Sequence, residues 1–355
     1  MREKVVVTGI NTLTNLGMGI NSIINSLDNC RLDTNNFPSG KLEKEIGYIF
    51  RCKDDYFKEK IPLNEIRKID RFTAMVIATV DQILSENVYD EYTGFILNTE
   101  FASWSSVNDY IQTLEYKGPN YISPRLFSKI VQNYAQGKIS ILYQLKGPST
   151  TLTGNSSVAY GFDLIQSKFT DQLIVSGVEE INEDLIFAIN KVEKCKYAGE
   201  GAGTLLIESE NSAIKRDTYI YAEILDYKIK FYSNIKTVDE RKLFIVEMIK
   251  DLLKKNNINY PPSVVIYGEG YMDENNLEIN EVLNIIFEKE VNSTKIYYPQ
   301  RIIGETFGAA HSIYCSIACE MLSNTIEKNC RSYAIACNVE FSGNIILFLL
   351  KSYVS

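Results

Sequence analysis

Short apolar runs rich in β-branched residues alternate along the chain with longer stretches whose apolar positions recur at helical spacing. The helical stretches include residues 72–85 and 242–255. The runs with the length and composition of buried strands include Val5–Val7, Gly94–Leu97, Tyr219–Ile224 and Val264–Tyr267. Such alternation predicts an α/β layered fold with largely buried sheets.

One order of elements, a helix followed by two strands, occurs twice. The helices are predicted over residues 156–167 and 306–323, and both begin with small residues that let a helix lie deep between layers. The strands that follow them are Leu173–Gly177, Gly203–Ile207, Tyr333–Cys337 and Gly343–Phe348. The repetition predicts two similar halves with buried central helices. Residues 208–217 are charged and lack an apolar period, so we place the boundary near Arg216 and expect halves over 1–216 and 217–355.

Composition restricts the compartment and the partners. No apolar run approaches the roughly 20 residues of a membrane span, and the first nine residues read as a strand and not as a signal peptide, so we expect a cytosolic protein. The seven cysteines are scattered without a Cys-x-x-Cys pair, which is typical of reduced thiols. A net charge of −8 and a pI near 5.1 argue against binding to nucleic acid.

The segment Gly147–Gly161, Gly-Pro-Ser-Thr-Thr-Leu-Thr-Gly-Asn-Ser-Ser-Val-Ala-Tyr-Gly, resembles one found in β-ketoacyl synthases, the thiolase-fold condensing enzymes. There, Gly-Pro-Ser leads along a strand to a cysteine at the head of a buried helix. Further pieces in the family's order are Val5–Ile10 with Leu16-Gly17, Ile69–Thr73, Gly118–Pro124, Gly201–Gly203 and Asn292–Lys295. The resemblance implies a duplicated αβαβα thiolase-like architecture with two mixed five-stranded sheets.

The catalytic positions of that family are occupied by other residues here. Counted from Gly147, the cysteine position falls on Ser156, the two histidine positions fall on Glu269 and Glu305, and a supporting lysine becomes Gln300. Active members use the thiolate to take the acyl chain and the two imidazoles to stabilise developing negative charge. Two carboxylates oppose that stabilisation, and a serine hydroxyl needs a neighbouring base. We therefore expect no intrinsic catalysis, no cofactor and no metal site.

The two glutamates have a structural interpretation as well. We expect Glu269 and Glu305 to pair with Lys or Arg side chains, such as Arg301, in buried ion pairs that replace the family's active-site network.

Residues 299–305, Pro-Gln-Arg-Ile-Ile-Gly-Glu, resemble the Pro-Lys-Thr-Met-Thr-Gly-Arg of chain-length factors, the β subunits of type II polyketide ketosynthases. This resemblance implies a non-catalytic subunit that forms a heterodimer with a ketosynthase α subunit. Together they extend a chain by decarboxylative Claisen condensation of malonyl units on an acyl carrier protein. Carrier proteins are acidic, as is this chain, so we expect docking mainly on the α subunit. The glutamine usual at the cysteine position is Ser156 here, which indicates a divergent branch.

The resemblance also implies residues that close the far end of the partner's tunnel. Placed relative to Gly118-Pro119, these are Phe101 and Leu126, with Trp104 and Tyr110 close enough to contribute. Ordinary core or interface packing is the alternative interpretation of all four side chains.

Two other functions stay open. Ser156, His311 and an acid would make an acyl hydrolase or acyltransferase, although Gly154–Val158 lacks the second glycine of a Gly-x-Ser-x-Gly elbow. A homodimeric thiolase-fold binding protein without an acyl partner is the other alternative. His311 is the one histidine of the chain and lies six positions after Glu305, so we expect a packed histidine with its hydrogen bonds satisfied.

Overall fold

The computed structural model describes residues 3–29, 41–43, 47–61, 63–154, 156–192, 197–231, 237–269, 279–288, 290–324, 332–340 and 343–353. The strands within these ranges are β1 (Val5–Thr14), β2 (Gly17–Met18), β3 (Lys41–Glu43), β4 (Gly47–Phe50), β5 (Gly94–Thr99), β6 (Ser149–Thr153), β7 (Gln172–Glu179), β8 (Tyr197–Gly199), β9 (Gly201–Ser209), β10 (Ala222–Phe231), β11 (Val264–Gly268), β12 (Lys295–Tyr297), β13 (Tyr333–Val339) and β14 (Asn344–Ser352).

The α-helices within the same ranges are α1 (Ile20–Asn29), α2 (Leu63–Ile66), α3 (Arg71–Glu86), α4 (Trp104–Lys117), α5 (Pro124–Lys129), α6 (Tyr134–Leu142), α7 (Ser157–Gln166), α8 (Glu183–Val192), α9 (Glu210–Lys215), α10 (Val238–Lys255), α11 (Ile279–Phe287), α12 (Gln300–Ile303) and α13 (Ala310–Ser323). A 3₁₀ turn over Phe307–Ala309 precedes α13.

The two halves of the chain build the same arrangement of strands. Ten strands lie in the order β12-β11-β13-β14-β10-β1-β9-β7-β5-β6, and β2 pairs with β1. In the second half, β12-β11 and β11-β13 are parallel pairs, and β13-β14 and β14-β10 are antiparallel pairs. In the first half, β6-β5 and β5-β7 are parallel pairs, and β7-β9 and β9-β1 are antiparallel pairs. The predicted duplication is therefore present. The two five-stranded sheets are not separate, because β1 pairs antiparallel with β10 and joins them into one 11-stranded sheet.

The predicted central helices are buried, and glycines allow their close approach to the sheet. Nearly every residue of α13 is buried. A Cβ on Gly203 of β9 would lie 2.6 Å from the Ile313 nitrogen of α13. A Cβ on Gly161 of α7 would lie 2.6 Å from Val175 of β7. Both contacts are too short for any side chain, so these backbones meet only because glycine is present.

The longest described helix, α10, covers the outer face of the second half. A capping box formed by Thr237 and Glu240 starts the helix, and Ile245, Ile249 and Leu252 face the core. Arg241 lies on the same buried face. Within the described ranges, no helix has the length and apolar character needed to cross a membrane.

The segment expected to join the halves is only partly a surface connection. Glu208 and Ser209 end β9, and α9 follows at once. The Glu208 carboxylate is buried and accepts a hydrogen bond from Arg216 Nε at 3.2 Å. The boundary at residue 216 stays a prediction.

The cysteines that the structure describes are buried free thiols. They are Cys52, Cys315, Cys319 and Cys337. Burial raises the pKa of each thiol, which keeps it protonated and a weak nucleophile. Cys30, Cys195 and Cys330 lie outside the described residues.

Candidate functional site at the carboxyl ends of the central strands

Ser156 and Glu269, which the resemblance places at catalytic positions, follow the carboxyl ends of two parallel-paired strands, β6 and β11. The second half supplies a segment that lies on the first half, where the Gly308 carbonyl accepts from Asn98 Nδ2 at 2.9 Å. The Gly308 N–H donates to Glu179 Oε2 at 3.3 Å. The chain leaves β5 toward β6 on one side and leaves β7 toward β9 on the other side. At such a switch point, α/β sheets bind ligands beyond the carboxyl ends of the strands. The site is thus assembled from both halves.

Ser156, at the nucleophile position, is the N-cap of α7. Its backbone is extended, its side chain is fully buried, and its Oγ accepts from the Ala159 N–H at 3.4 Å. A serine cap stabilises a helix by about 1 kcal/mol relative to alanine. The predicted place of Ser156 at the head of a buried helix is confirmed, and as the N-cap Ser156 stabilises α7.

Glu269, at the first histidine position, is held by an arginine. Arg301 donates from Nε to Glu269 Oε2 at 2.8 Å and from Nη2 to Oε1. The guanidinium also lies 4.0 Å from the ring centroid of Tyr298. The predicted pairing of Glu269 with Arg301 is confirmed. Gly270 and Tyr271, which continue this motif, lie outside the described residues.

Glu305, at the second histidine position, has no cation beside it in the described part of the chain. Its Oε2 accepts from Gln300 Nε2 at 2.9 Å, and its Oε1 accepts from the Phe307 N–H at 2.8 Å. Burial, together with the nearby carboxylates of Glu100 and Glu340, raises the pKa of Glu305 to about 8. The expected ion pair is therefore wrong for Glu305, because neutral donors satisfy its oxygens instead.

Gln300 links the two glutamate positions. Its Oε1 accepts from the Glu269 N–H at 2.7 Å, while its Nε2 donates to Glu305. A lysine, as the family has here, carries three donors and no acceptor, so it would not satisfy the Glu269 N–H. Glutamine at this position completes a continuous chain of contacts from Arg301 through Glu269 and Gln300 to Glu305.

The Glu305 backbone is fixed as firmly as its side chain. The Glu305 N–H donates to the Tyr197 carbonyl, and the Gly199 N–H donates to the Glu305 carbonyl, both at 2.7 Å. These bonds attach Glu305 to β8 of the small sheet β3-β4-β8. The Glu305 segment is held on both sides.

Glu179, which the sequence analysis missed, organises the first half of the site. The buried carboxylate accepts from Thr99 Oγ1 at 3.0 Å and from the backbone N–H groups of Glu100 and Phe101 at 2.7 and 3.0 Å. Burial raises the pKa of Glu179 to about 8, although these donors oppose the rise. Two glutamates directly after a predicted apolar strand were the signal that would have identified it.

His311 lies at the start of α13, as predicted, and it is buried. Its Nε2 is 3.5 Å from Glu340 Oε1, and neither ring nitrogen has a hydrogen-bond partner among the residues that the structure describes. Burial lowers the pKa of His311, and Glu340 opposes that shift. The expectation of a hydrogen-bonded histidine is wrong. Ser156 and His311 do not form a hydrogen-bonded pair.

The candidate site concentrates buried acidic groups. Burial raises the pKa of Glu100 to about 7, with Glu340 adding to the rise. Such carboxylates offer acceptors, or protons when neutral, but no cationic donors for an oxyanion. Among the described residues, no three His, Cys, Asp or Glu side chains are arranged to hold a metal ion.

The four candidate tunnel residues fall into two groups. Phe101 packs edge-to-face on Phe307, with ring centroids 5.2 Å apart, and Trp104 packs against the same hydrophobic cluster. Tyr110 lies on α4 against Phe127 of α5, with centroids 6.3 Å apart. Leu126 lies on α5 and is half-buried. The first pair thus faces the chain's own site, and the second lies on a helical surface.

Comparison with known proteins identifies relatives in sequence. A family model described as "Beta-ketoacyl synthase, N-terminal domain" matches residues 2–192. The "3-oxoacyl-[acyl-carrier-protein] synthase 2" of Staphylococcus aureus (strain COL) is 26% identical over 265 residues, covering 63% of this chain and 62% of that protein. Its namesake from Synechocystis sp. is 24% identical over 262 residues, covering 64% and 62%. The chain thus matches a little under two thirds of the length of these curated relatives.

Solved structures extend the likeness over the whole chain. The structure described as "The ishigamide ketosynthase/chain length factor" has a TM-score of 0.81 at 17% identity, covering 99% of this chain and 100% of that one. A type II PKS acyl-carrier protein complex with its ketosynthase has a TM-score of 0.76, with the same identity and coverage. At this identity the likeness establishes the fold, and the predicted thiolase-like fold is confirmed.

Proposed function

Because the chain belongs to the beta-ketoacyl synthase family, we propose that it is a non-catalytic member that serves as the chain-length-factor subunit of a heterodimer with an active ketosynthase. The observation that carries this proposal is the chain of contacts Arg301–Glu269–Gln300–Glu305. In this arrangement Glu269 and Glu305 stand at the two proposed histidine positions, and the oxygens of both side chains already accept hydrogen bonds. The curated relatives are named as synthases, so the proposal is that this chain has lost the synthase reaction.

The chemistry of the remodelled site opposes condensation. An oxyanion needs preorganised donors within about 3 Å, whereas the Glu269 carboxylate is paired with Arg301 and both Glu305 oxygens already accept hydrogen bonds, from Gln300 and from the Phe307 N–H. The Ser156 Oγ accepts a hydrogen bond from the Ala159 N–H, and it is not hydrogen-bonded to the His311 ring. This geometry gives the alternative of a Ser156-dependent hydrolase or acyltransferase no support.

An exposed sheet edge supports association with a partner. β6 ends the large sheet, and its residues, Ser-Thr-Thr-Leu-Thr, are exposed or half-buried without a charge or proline. The opposite edge, β12, has three residues and begins with Lys295. Short, charged edges resist pairing, so β6 is the edge suited to receive a partner's strand. Phe127 and Val131, which are 55% and 45% exposed, provide apolar surface on the neighbouring segment.

The proposed partner is a ketosynthase α subunit, with the acyl carrier protein docking mainly on that subunit. Continuation of the sheet across β6 would produce a heterodimer. A thiolase-fold binding protein without an acyl partner would instead associate with itself. Purification of the chain alone and with a co-expressed ketosynthase separates the two alternatives.

Product length tests the role in the tunnel. We propose Phe101 and Leu126 as length-determining side chains, with Trp104 and Tyr110 contributing. Truncating a bulky side chain at a packed tunnel end leaves space that a longer chain can fill. In a co-purified complex, Phe101→Ala and Leu126→Ala should keep turnover and shift products to greater length, measured by mass spectrometry.

Phe169→Ala provides the matched control, because Phe169 is 69% exposed and lies in the turn between α7 and the amino end of β7. This variant should leave product length unchanged. Unchanged length with full activity in both single variants and in the double variant would rule out these two residues as the determinants.

A further inference from the structure

Three arginines of this chain bind a carboxylate through the same edge of the guanidinium group. Arg71, Arg216 and Arg301 each donate from Nε and Nη2 to one carboxylate, respectively Glu200, Glu208 and Glu269. This edge matches the two oxygens of an oxyanion. The side chains of these arginines are 25%, 19% and 26% exposed.

Arg241 departs from this pattern although it is more deeply buried. Only 1% of the residue is exposed, and its Nη1 donates to the Glu269 carbonyl at 3.2 Å. Its Nε and Nη2 have no hydrogen-bond partner in the described part of the chain. A buried guanidinium without a counter-charge is costly, because an ion removed from water needs a partner of opposite charge.

A second unpartnered donor lies in the same region. The Tyr267 hydroxyl is buried and also lacks a hydrogen-bond partner within the described ranges. Tyr267 precedes Glu269 by two residues, and it packs in the same core cluster as Ile245, which follows Arg241 by one turn of α10. Burial raises the pKa of Tyr267. Tyr267 therefore keeps its proton and can donate. The Glu269 carboxylate is turned to Arg301 and does not neutralise Arg241.

The position in the sheet is one that suits a ligand. Tyr267 lies at the carboxyl end of β11, and β11 pairs with β12 on one side and β13 on the other. The chain order of the strands reverses between β11 and β13, which is the point where α/β sheets bind ligands. The corresponding point of the first half lies between β5 and β7, beside Glu179.

We propose that Arg241 and Tyr267 form a binding site for a small oxyanion, a carboxylate or phosphate group. Arg241 contributes the bidentate edge Nε–H and Nη2–H, and Tyr267 contributes its hydroxyl. Three hydrogen-bond donors and one positive charge favour an anion, and they offer no ligand to a cation. The site is distinct from the proposed chain-length role and does not depend on it.

Anion titration tests the site on the full chain, in the assembly in which it is purified. Inorganic phosphate and malonate are added at constant ionic strength, with chloride as the reference, and binding is measured by calorimetry and thermal unfolding. We expect saturable binding of at least one of the two, which also identifies the preferred chemistry. Binding no stronger than that of chloride for both probes overturns the proposal.

Variants assign the binding to Arg241. Arg241→Gln should raise the Kd about tenfold or more, and Arg241→Lys, which keeps the charge without the planar edge, should lie between that and the parent. Arg125→Gln, at an exposed position on α5, should bind as the parent does. Equal affinity in Arg241→Gln and the parent would overturn the assignment.

A spectroscopic measurement keeps the test independent of how the variants fold. With ¹⁵N-labelled arginine in the parent chain, the Arg241 Nε–H resonance should shift and saturate with the same concentration dependence as the calorimetric signal. A resonance that does not move while anion binds would exclude Arg241 as the ligand.

Discussion

The single residues that define the candidate site are acidic, and they differ in their partners. Glu269 retains a partner in Arg301, whereas Glu305 and Glu179 are surrounded by neutral donors. Burial therefore raises the pKa of both to about 8. These two residues hold protons in the folded chain near neutral pH.

The place of Ser156 at the head of α7 was predictable from spacing, whereas the assignment of Ser156, Glu269 and Glu305 to the family's catalytic positions stays a prediction. The Arg301 pair was also predictable, since arginine is a common partner of a buried carboxylate. The roles of Gln300, Glu179 and Glu340 were not, because their contacts join residues that are distant in sequence. Only tertiary structure brings such groups together.

The stability of the protein should decrease as the pH rises from about 5 to about 8. Carboxylates with a pKa near 8 when folded and about 4.3 when unfolded bind more protons in the folded state across that range. Each contributes stability that is full at low pH and is lost as the pH approaches 8. Glu305→Gln removes one such group, so its stability should depend less steeply on pH, by up to about 1.4 kcal/mol per pH unit.

Urea denaturation at several pH values measures how the free energy of unfolding changes with pH. This slope is compared, and not the absolute stability, because the substitution also changes a hydrogen bond. Glu115→Gln, at an exposed position on α4, is the control and should keep the parent slope. If Glu305→Gln keeps the parent slope as well, Glu305 is not protonated in the folded chain.

At the scale of elements, apolar runs predicted the buried strands and helices well. β5, β11 and β13 contain the runs from which they were predicted, because strands covered on both faces are apolar throughout. β10 was expected over Tyr219–Ile224 and instead extends from Ala222 to Phe231. Its second part carries charged side chains at alternate positions, so the apolar pattern ends before the strand does.

The register of β6 shows which of its backbone groups a partner strand would use. The Phe95 N–H donates to the Pro148 carbonyl at 2.8 Å, and the Gly154 N–H donates to the Thr99 carbonyl at 3.2 Å. In a parallel pair, the even-numbered residues of β6 therefore face β5. The backbone N–H of Thr151 points away from the sheet.

Thr151→Pro should weaken association with the partner while preserving the fold. Proline removes the outward N–H and leaves the pairing with β5 intact, so we expect about a tenfold or greater loss of affinity. Thr151→Ala keeps the N–H and should change affinity by less than about threefold. Analytical ultracentrifugation of the co-expressed pair measures both. Equal association of Thr151→Pro and the parent would mean that β6 is not the interface.

At the scale of the molecule, the duplicated plan was predictable because the order helix, strand, strand repeats in the sequence. Joining of the halves through β1 and β10 was not predictable, since pairing between distant strands leaves no local pattern. The same holds for the placement of residues 305–309 over the ends of β5 and β7. The whole molecule thus keeps the family's framework around an acidic, hydrogen-bonded site.

The most direct test of a non-catalytic role is to ask which subunit carries the acyl chain. The co-purified heterodimer is incubated with an acyl-loaded carrier protein, and each subunit is then weighed by intact-protein mass spectrometry. We predict an acyl adduct on the ketosynthase partner and none on this chain. A stable adduct on this chain that disappears in Ser156→Ala would contradict the loss of catalysis.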